Sequence, residues 1–385
     1  MIVSTTIRIT YLLLFMGILL PSLANAAKIA TSAREAILLD YDTGYVLLQK
    51  NADRLMPPAS ITKIMTVLLA FERLADGRLR MEDEIPISEQ AWKKGGSKMF
   101  VEIGSRVSVH DILRGIIVQS GNDAAIALAE AIAGTETAFA ELMNEKASRI
   151  GMGEATFYNA TGWPDPKHLV TARGLAVLAI ETIRKFPEYY KIYAEKSFIY
   201  NGIKQNNRNS LLYKNIGVDG LKTGYTEIAG YGLTASAKRN ERRLILVVSG
   251  LKSANQRSRE SERLLEWGFR EFNNYKLFDS GQTVEQAEVW FGEQNTVSLT
   301  TEKELVITMD RISRKEMQVS VEYDSPILAP ILKGQVLAQL RISIPNREDQ
   351  IVPLVAKNNI DKLNGLNRIS RAIYYLILGY YIEHS

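Results

Sequence analysis

The chain has 385 residues, with 47 Lys and Arg against 43 Asp and Glu, 46% hydrophobic residues and 23% charged ones. A formal charge of +4 over that length gives no ground for a nucleic-acid partner, and the composition is that of a globular protein. The absence of cysteine excludes disulfides, thiolate metal sites and a cysteine nucleophile, and three histidines (His110, His168 and His384) leave no basis for a histidine-rich zinc centre or any other cofactor.

The first segment reads as an export signal. Arg8 is the only charge before the apolar run Tyr11–Leu20, and small residues through Ala26 offer a cleavage site. A run of about ten apolar residues suits a signal peptide, whereas a membrane span needs about twenty. Residues 1–26 are therefore assigned to the signal, and the remainder is long enough for one full domain and a second module.

Residues 34–50 read as a β-hairpin, two apolar runs around Asp42-Thr43-Gly44. Pro57 and Pro58 then close an extended stretch, and a helical apolar run follows to Glu72. Ser60 falls at the start of this helix, where free N–H groups favour developing negative charge. Lys63, three residues on, shares its face. A lysine desolvated by the apolar wall can lose its proton near neutral pH and act as base for Ser60. Ser-x-x-Lys alone is weak, since Ser249-Gly-Leu-Lys252 also matches, and a plain helix-start serine is the bland alternative.

Residues 80–119 read as a Gly95-Gly96-Ser97 loop, a short strand around Met99–Ile103 and a helix from Val109 to about Gln119. Ser120-Gly121-Asn122-Asp123 precedes an alanine-rich helix and sets a hydroxyl beside a carboxamide, with an N-cap as the structural alternative. Residues 134–216 read as helices and loops, with a helix at Thr171–Phe186. Asp165 and His168 in a proline-rich loop read as a solvated turn. Val218–Thr226, Tyr231–Ala237 and Arg243–Ser249 read as consecutive antiparallel strands. Lys222 and Thr223 on the first offer a cation and a hydroxyl for a carboxylate, and Gly224 would let a ligand approach the backbone. Residues 255–272 form an amphipathic helix whose apolar face is core.

Ser60-x-x-Lys63, Ser120-Gly-Asn122 and Lys222-Thr-Gly224 thus occur in order on a helix start, a turn and a strand, a set shared by β-lactamases and penicillin-binding proteins. With Ser97-Lys-Met-Phe100, Gln119–Ala124, Asn206–Asn209, Val218–Gly224 and Glu260–Phe269, the chain closely resembles the low-molecular-mass penicillin-binding proteins that are D-alanyl-D-alanine carboxypeptidases, peptidase family S11. The resemblance covers most of residues 30–272. It implies a β-lactamase/transpeptidase-like α/β (α+β) domain over residues 27–273, with an antiparallel sheet and helices. It implies that Ser60 attacks the D-Ala-D-Ala carbonyl of a peptidoglycan pentapeptide and Lys63 takes its proton. Ser120 and Lys222 would relay the proton to the leaving amine, and Asn122 would hold Lys63 and the substrate amide. Backbone N–H groups of Ser60 and Tyr225 would form the oxyanion hole; Lys222, Thr223 and Arg257 would bind the terminal carboxylate. β-Lactams would acylate Ser60 as substrate mimics. Two positions depart from the family pattern: Tyr225 stands where histidine is frequent, and Gly174 where Thr/Ser-Ala-Arg is commonly followed by aspartate.

After Phe272 short alternating segments, Val284–Phe291, Thr296–Thr300, Glu304–Thr308, Met317–Tyr323, Gln335–Ser343 and Gln350–Val355, read as an all-β sandwich over residues 274–357, a spacer or contact module. Residues 358–385 read as a C-terminal amphipathic helix, with Arg368 and Arg371 ahead of the apolar block Ala372–Ile382. Eleven residues rise about 17 Å as a helix, short of the roughly 30 Å hydrocarbon core, so a membrane-surface anchor on the periplasmic side of a bacterial inner membrane is expected. A β-lactamase would share the three motifs, but the Glu-x-x-Leu-Asn segment of the class A enzymes is absent; a penicillin sensor would not need Lys63 so placed; an endopeptidase would use the same chemistry.

Overall fold

The computed structural model describes residues 29–365 together with Asn367, Ile369, Ser370 and Ala372. The signal segment and the apolar block of the tail, apart from Ala372, lie outside the described residues.

Apolar runs on either side of a polar turn make β1 (Glu35–Asp40) and β2 (Val46–Lys50), paired antiparallel. A 3-10 turn (Ala59–Thr62) leads into α1 (Lys63–Ala75), buried on nearly all sides as a helix with apolar residues all round must be. β3 (Glu84–Pro86) and β4 (Arg106–Ser108) pair across the short α2 (Glu89–Lys93). α3 (Val109–Arg114) runs on as a π-helical turn to Gln119, followed by α4 (Asn122–Ala133), α5 (Glu136–Arg149), α6 (Ala172–Lys185) and α7 (Pro187–Tyr190). The hairpin of β5 (Ser197–Tyr200) and β6 (Ile203–Asn206) precedes three long strands, β7 (Val218–Thr226), β8 (Gly230–Arg239) and β9 (Arg242–Leu251), and then α8 (Ala254–Glu271).

The main sheet is antiparallel with the order β2-β1-β9-β8-β7, which leaves β7 at the edge. Its two faces are both covered. Leu38, Leu244, Leu246 and Val248 pack with Leu264, Leu265 and Trp267 of α8, while Ile37, Ile245 and Val247 join the larger core of α1, α3, α4 and α6. Burial on both faces explains why β9 carries the unbroken apolar run Leu244–Val248. The fold class is the mixed α/β arrangement expected.

Two expectations change. Met99–Ile103 is not a strand: the Met99, Phe100 and Val101 amides donate to the buried Asp123 carboxylate at 2.9, 3.0 and 3.4 Å, and Gln205 Nε2 donates to the Met99 carbonyl at 2.9 Å. Side chains take the hydrogen bonds that a neighbouring strand would have supplied. Conversely, residues 134–216 contain the β5–β6 hairpin as well as helices and loops.

The second domain starts directly from α8 with β10 (Phe272–Phe278), a strand absent from the sequence reading. β11 (Thr283–Trp290), β12 (Thr296–Thr300), β13 (Leu305–Asp310), the turn of helix α9 (Ser313–Glu316), β14 (Gln318–Glu322), β15 (Ile327–Leu328), β16 (Val336–Ser343) and β17 (Gln350–Ala356) follow. β10 pairs with β13, facing a sheet of order β14-β16-β17-β12-β11-β15 across an apolar core that includes Tyr275, Ile307, Met309, Leu299 and Leu340. The β domain continues past residue 357: Ile360 is buried in that core and bridges Ile331, and the Leu363 amide donates to the Phe291 carbonyl at 2.9 Å.

A buried carboxylate ties the domains together. Asp40, at the end of β1, is fully buried. It accepts from Arg242 Nε at 2.8 Å, from Asn274 Nδ2 of β10 at 3.0 Å, and from the Asp42 and Thr43 amides at 3.1 Å each. Arg242 also donates to the Phe272 carbonyl. Thr43 Oγ1 lies 2.5 Å from Thr308 Oγ1, and the Arg347 guanidinium stacks over Tyr45 at 4.2 Å.

Candidate active site

Ser60 sits in the middle of the 3-10 turn and Lys63 is the first residue of α1, so the hydroxyl and the amine point from one turn of chain. Lys63 Nζ lies 3.0 Å from Ser60 Oγ, 2.8 Å from Asn122 Oδ1 and 2.6 Å from the Thr161 carbonyl oxygen. A neutral amine has two hydrogens and one lone pair. Two carbonyl acceptors take the hydrogens, which leaves the lone pair for the Ser60 hydroxyl. Lys63 is wholly buried with no carboxylate in contact, and burial, aided by the nearby Arg208 cation, brings its pKa from 10.5 to about 7.

Asn122, the first residue of α4, is held in turn: its Nδ2 donates to the Gly95 carbonyl at 2.7 Å, which fixes which way the amide points. Ser120 is not an N-cap; Gly121 occupies that position. Ser120 stands in the left-handed region at φ 67°, and its Oγ is buried without a hydrogen-bond partner among the described residues. A buried unpaired hydroxyl costs about 1–3 kcal/mol, which marks it as a group kept free for something that binds.

Lys222 and Thr223 lie on the edge strand β7, both buried. Burial first, then the like charges of Lys63, Arg208 and Arg257, hold the Lys222 ammonium well below its usual pKa. Gly224 serves a different end from the one its position in a ligand-binding strand implied. A side chain there would stand 2.9 Å from the Pro58 carbonyl and 3.3 Å from Ala59 Cβ, so glycine lets the Ser60 turn close onto β7. Tyr225 is half exposed and stacks on Tyr231 at 4.2 Å, and the Arg257 guanidinium of α8 lies 5.9 Å from the Tyr231 ring. Burial lowers Arg257 to about 10, so it stays a cation at neutral pH. Ser60 and Asn122 are thus joined through Lys63, and Lys222 lies within the electrostatic reach of Lys63, Arg208 and Arg257.

Three contributors were not assigned a role from the sequence, although Arg208 lies within the stretch Asn206–Asn209. The Thr161 carbonyl is backbone. Arg208 donates from Nη1 to Ser97 Oγ at 2.7 Å and puts another cation at the site. His168, expected in a solvated turn, is 2% exposed. Its Nδ1 accepts from the Tyr158 amide at 3.3 Å, so Nε2 carries the hydrogen and donates to Thr62 Oγ1 at 3.0 Å, beside Lys63. Burial drives its pKa down to about 4. A neutral imidazole pins the loop that delivers the Thr161 carbonyl. Among the described residues no cluster of His, Asp and Glu could hold a metal ion.

Comparison with known proteins matches this arrangement to a family. Residues 22–253 fit the model of the D-alanyl-D-alanine carboxypeptidases, peptidase S11. The chain belongs to that family. Residues 272–362 fit the C-terminal domain of penicillin-binding protein 5. The D-alanyl-D-alanine carboxypeptidase DacA of Haemophilus influenzae is 38% identical over 335 residues, 86% of this chain and 85% of the relative. The crystal structure of penicillin-binding protein 5 from the same organism superposes with a TM-score of 0.79 at 38% identity, over 87% of this chain and 99% of that one. Penicillin-binding protein D2 of Listeria monocytogenes, solved with ampicillin bound, matches at a TM-score of 0.58 and 30% identity over 63% of this chain and 99% of its own.

Proposed function

We propose that the protein is a serine-type D-Ala-D-Ala carboxypeptidase that removes the terminal D-alanine from peptidoglycan pentapeptide stems through an acyl-enzyme on Ser60. The observation that carries this reading is the three-point setting of Lys63: two carbonyl acceptors, a serine hydroxyl and a pKa of about 7. Lys63 takes the Ser60 proton as Oγ attacks the penultimate D-Ala carbonyl. The backbone N–H groups of Ser60 and Tyr225 stabilise the oxyanion, a contribution typically of about 3–4 kcal/mol per donor. The proton passes by way of Ser120, whose hydroxyl has no hydrogen-bond partner among the described residues, to the leaving D-Ala amine. Lys222, Thr223 and Arg257 hold the terminal carboxylate, and water then releases the acyl-enzyme. A β-lactam enters the same path with its ring amide in place of the peptide bond.

The export reading of residues 1–26 and the anchor reading of the tail place this activity at the periplasmic face of an inner membrane. In the sequence the β domain separates the catalytic domain from the tail. Among the described residues no helix is long and apolar enough to cross a membrane.

The test is release of D-Ala from a peptide ending in D-Ala-D-Ala, run beside labelling with a fluorescent penicillin, on the wild type and Ser60→Ala. Wild-type release with a long-lived label, and loss of both in a folded Ser60→Ala protein, support the reading. A label that persists in Ser60→Ala puts the nucleophile elsewhere.

A further inference from the structure

The rim of the site carries cations that the catalytic steps do not use. Lys94 Nζ stands 5.1 Å from the centre of the Trp163 ring, and Lys98 Nζ stands 5.8 Å from that of Trp92. Both tryptophans are exposed, at 44% and 41%. The Trp163 ring lies against Gly95 and Gly96, the turn whose carbonyl holds Asn122. Lys98 donates to the Trp92 carbonyl at 2.6 Å and Arg208 to Ser97 Oγ at 2.7 Å. Among the described residues none of these three cations has a carboxylate partner, and the Lys94 ammonium has no hydrogen-bond partner either.

The acids of the neighbourhood are engaged elsewhere. Glu89 pairs with Lys93. Asp123 takes the Met99 and Phe100 amides, Glu136 takes the Ala160 amide and Asp165 the Lys167 amide. Two large exposed rings beside unneutralised cations do nothing evident for folding, and such patches mark binding surfaces. The place is informative. The Gly95 carbonyl beside Trp163 holds Asn122, which meets Lys63 at 2.8 Å, so this rim joins the Ser60 and Lys63 pair through Asn122, whereas Lys222 and Arg257 stand on β7 and α8. With the leaving group toward Lys222 and Asn122 holding the substrate amide, the acyl portion runs past Asn122 toward this rim.

We propose that Lys94 and Trp163, with Lys98 beside them, form a second anion-recognising subsite that takes a carboxylate borne by the acyl portion of the substrate, upstream of the scissile bond. The ring supplies a flat apolar face for the chain that carries the carboxylate, and the ammonium takes its charge. The site is then bipolar, matched to a peptide anionic at both ends of its bound segment. This rests on the reading of Ser60 as the acylated residue and of Lys222 as the pole for the terminal carboxylate.

The test compares acylation of the full protein by benzylpenicillin and by its α-carboxy derivative, which differ by one carboxylate on the acyl side chain. The quantity read is the ratio of their second-order acylation constants, at low and at high salt. One screened ion pair predicts that Lys94→Met lowers the ratio about fivefold, that Lys94→Glu lowers it further, that Lys94→Arg keeps it, and that salt erodes it in the wild type. Acylation by benzylpenicillin itself stays within about twofold in all three variants, which shows that they are folded. A ratio unchanged in both Lys94→Met and Lys94→Glu overturns the subsite. Failure of benzylpenicillin to acylate the wild type would overturn the Ser60 reading beneath it.

Discussion

Lys63 stands close to the midpoint of its titration at neutral pH, because burial removes water from the ammonium and Arg208 adds a like charge. Below about 7 the amine is protonated, has no lone pair and cannot accept the Ser60 proton; above it the base is free. The acylation rate with a penicillin is therefore expected to rise with pH along a limb centred near 7, well below the range of an ordinary lysine. A stopped-time labelling series from pH 5 to 9 measures it, and a rate flat across that range would remove Lys63 from the role of base. Ser60, Lys63, Ser120, Asn122 and Lys222 were legible in the sequence because the chemistry needs those side chains at those spacings. The Thr161 carbonyl and the Gly95 carbonyl were not, since any residue carries a carbonyl and only the loop path brings it to the amine. His168 was misread for a related reason: a proline-rich segment with Asp165 has the composition of a surface turn, and its burial comes from a contact with Thr62, more than a hundred residues earlier.

At the scale of elements, the catalytic turn is clasped between two partners. Gly224 on β7 lets it approach from one side, and Gly162 of the His168 loop from the other. Gly162 has φ of +79°, and a Cβ there would stand 1.8 Å from the Ala59 carbonyl oxygen and 2.8 Å from Thr62 Oγ1. Gly162→Ala must therefore push the loop from the turn and carry the Thr161 carbonyl away from Lys63. The expected loss is more than about 2 kcal/mol of stability, read by thermal melting, with penicillin labelling at least about tenfold slower. Native stability together with native labelling would show that the loop adapts without cost. Long elements with a clear period, α1, α8 and the strands β7 to β9, were legible to within a few residues, although Ser60 falls in a 3-10 turn ahead of α1 and α1 runs on to Ala75. The segment Met99–Ile103 was not, because its backbone turns at Phe100 (φ 69°) and bonds to Asp123 in place of a strand. The short β3–β4 and β5–β6 hairpins carry too few residues for a period to show.

The whole molecule is two cores joined by very little chain, since α8 ends at Glu271 and β10 begins at Phe272. The two-domain layout was visible as a change of composition near Phe272. What the composition did not show is the join, because Asp40, Arg242 and Asn274 come from distant stretches and look like surface polar residues when read singly. Asp40 is buried, charge-paired with Arg242 and bonded to Asn274 across the boundary. Taking away one partner of such a pair typically costs about 3–5 kcal/mol, and here the loss falls on the contact between the cores as well as within either one. The consequence concerns cooperativity. Two domains joined by bonds from one buried ion pair to Asn274 and the Phe272 carbonyl unfold together, as one calorimetric transition whose enthalpy reports both. Asp40→Ala is expected to separate that endotherm into two, with the β domain and the catalytic domain melting at different temperatures while penicillin labelling survives the first. A single transition in the variant would mean that the apolar and aromatic contacts around Tyr45 and Phe272 suffice to make the protein melt as one body.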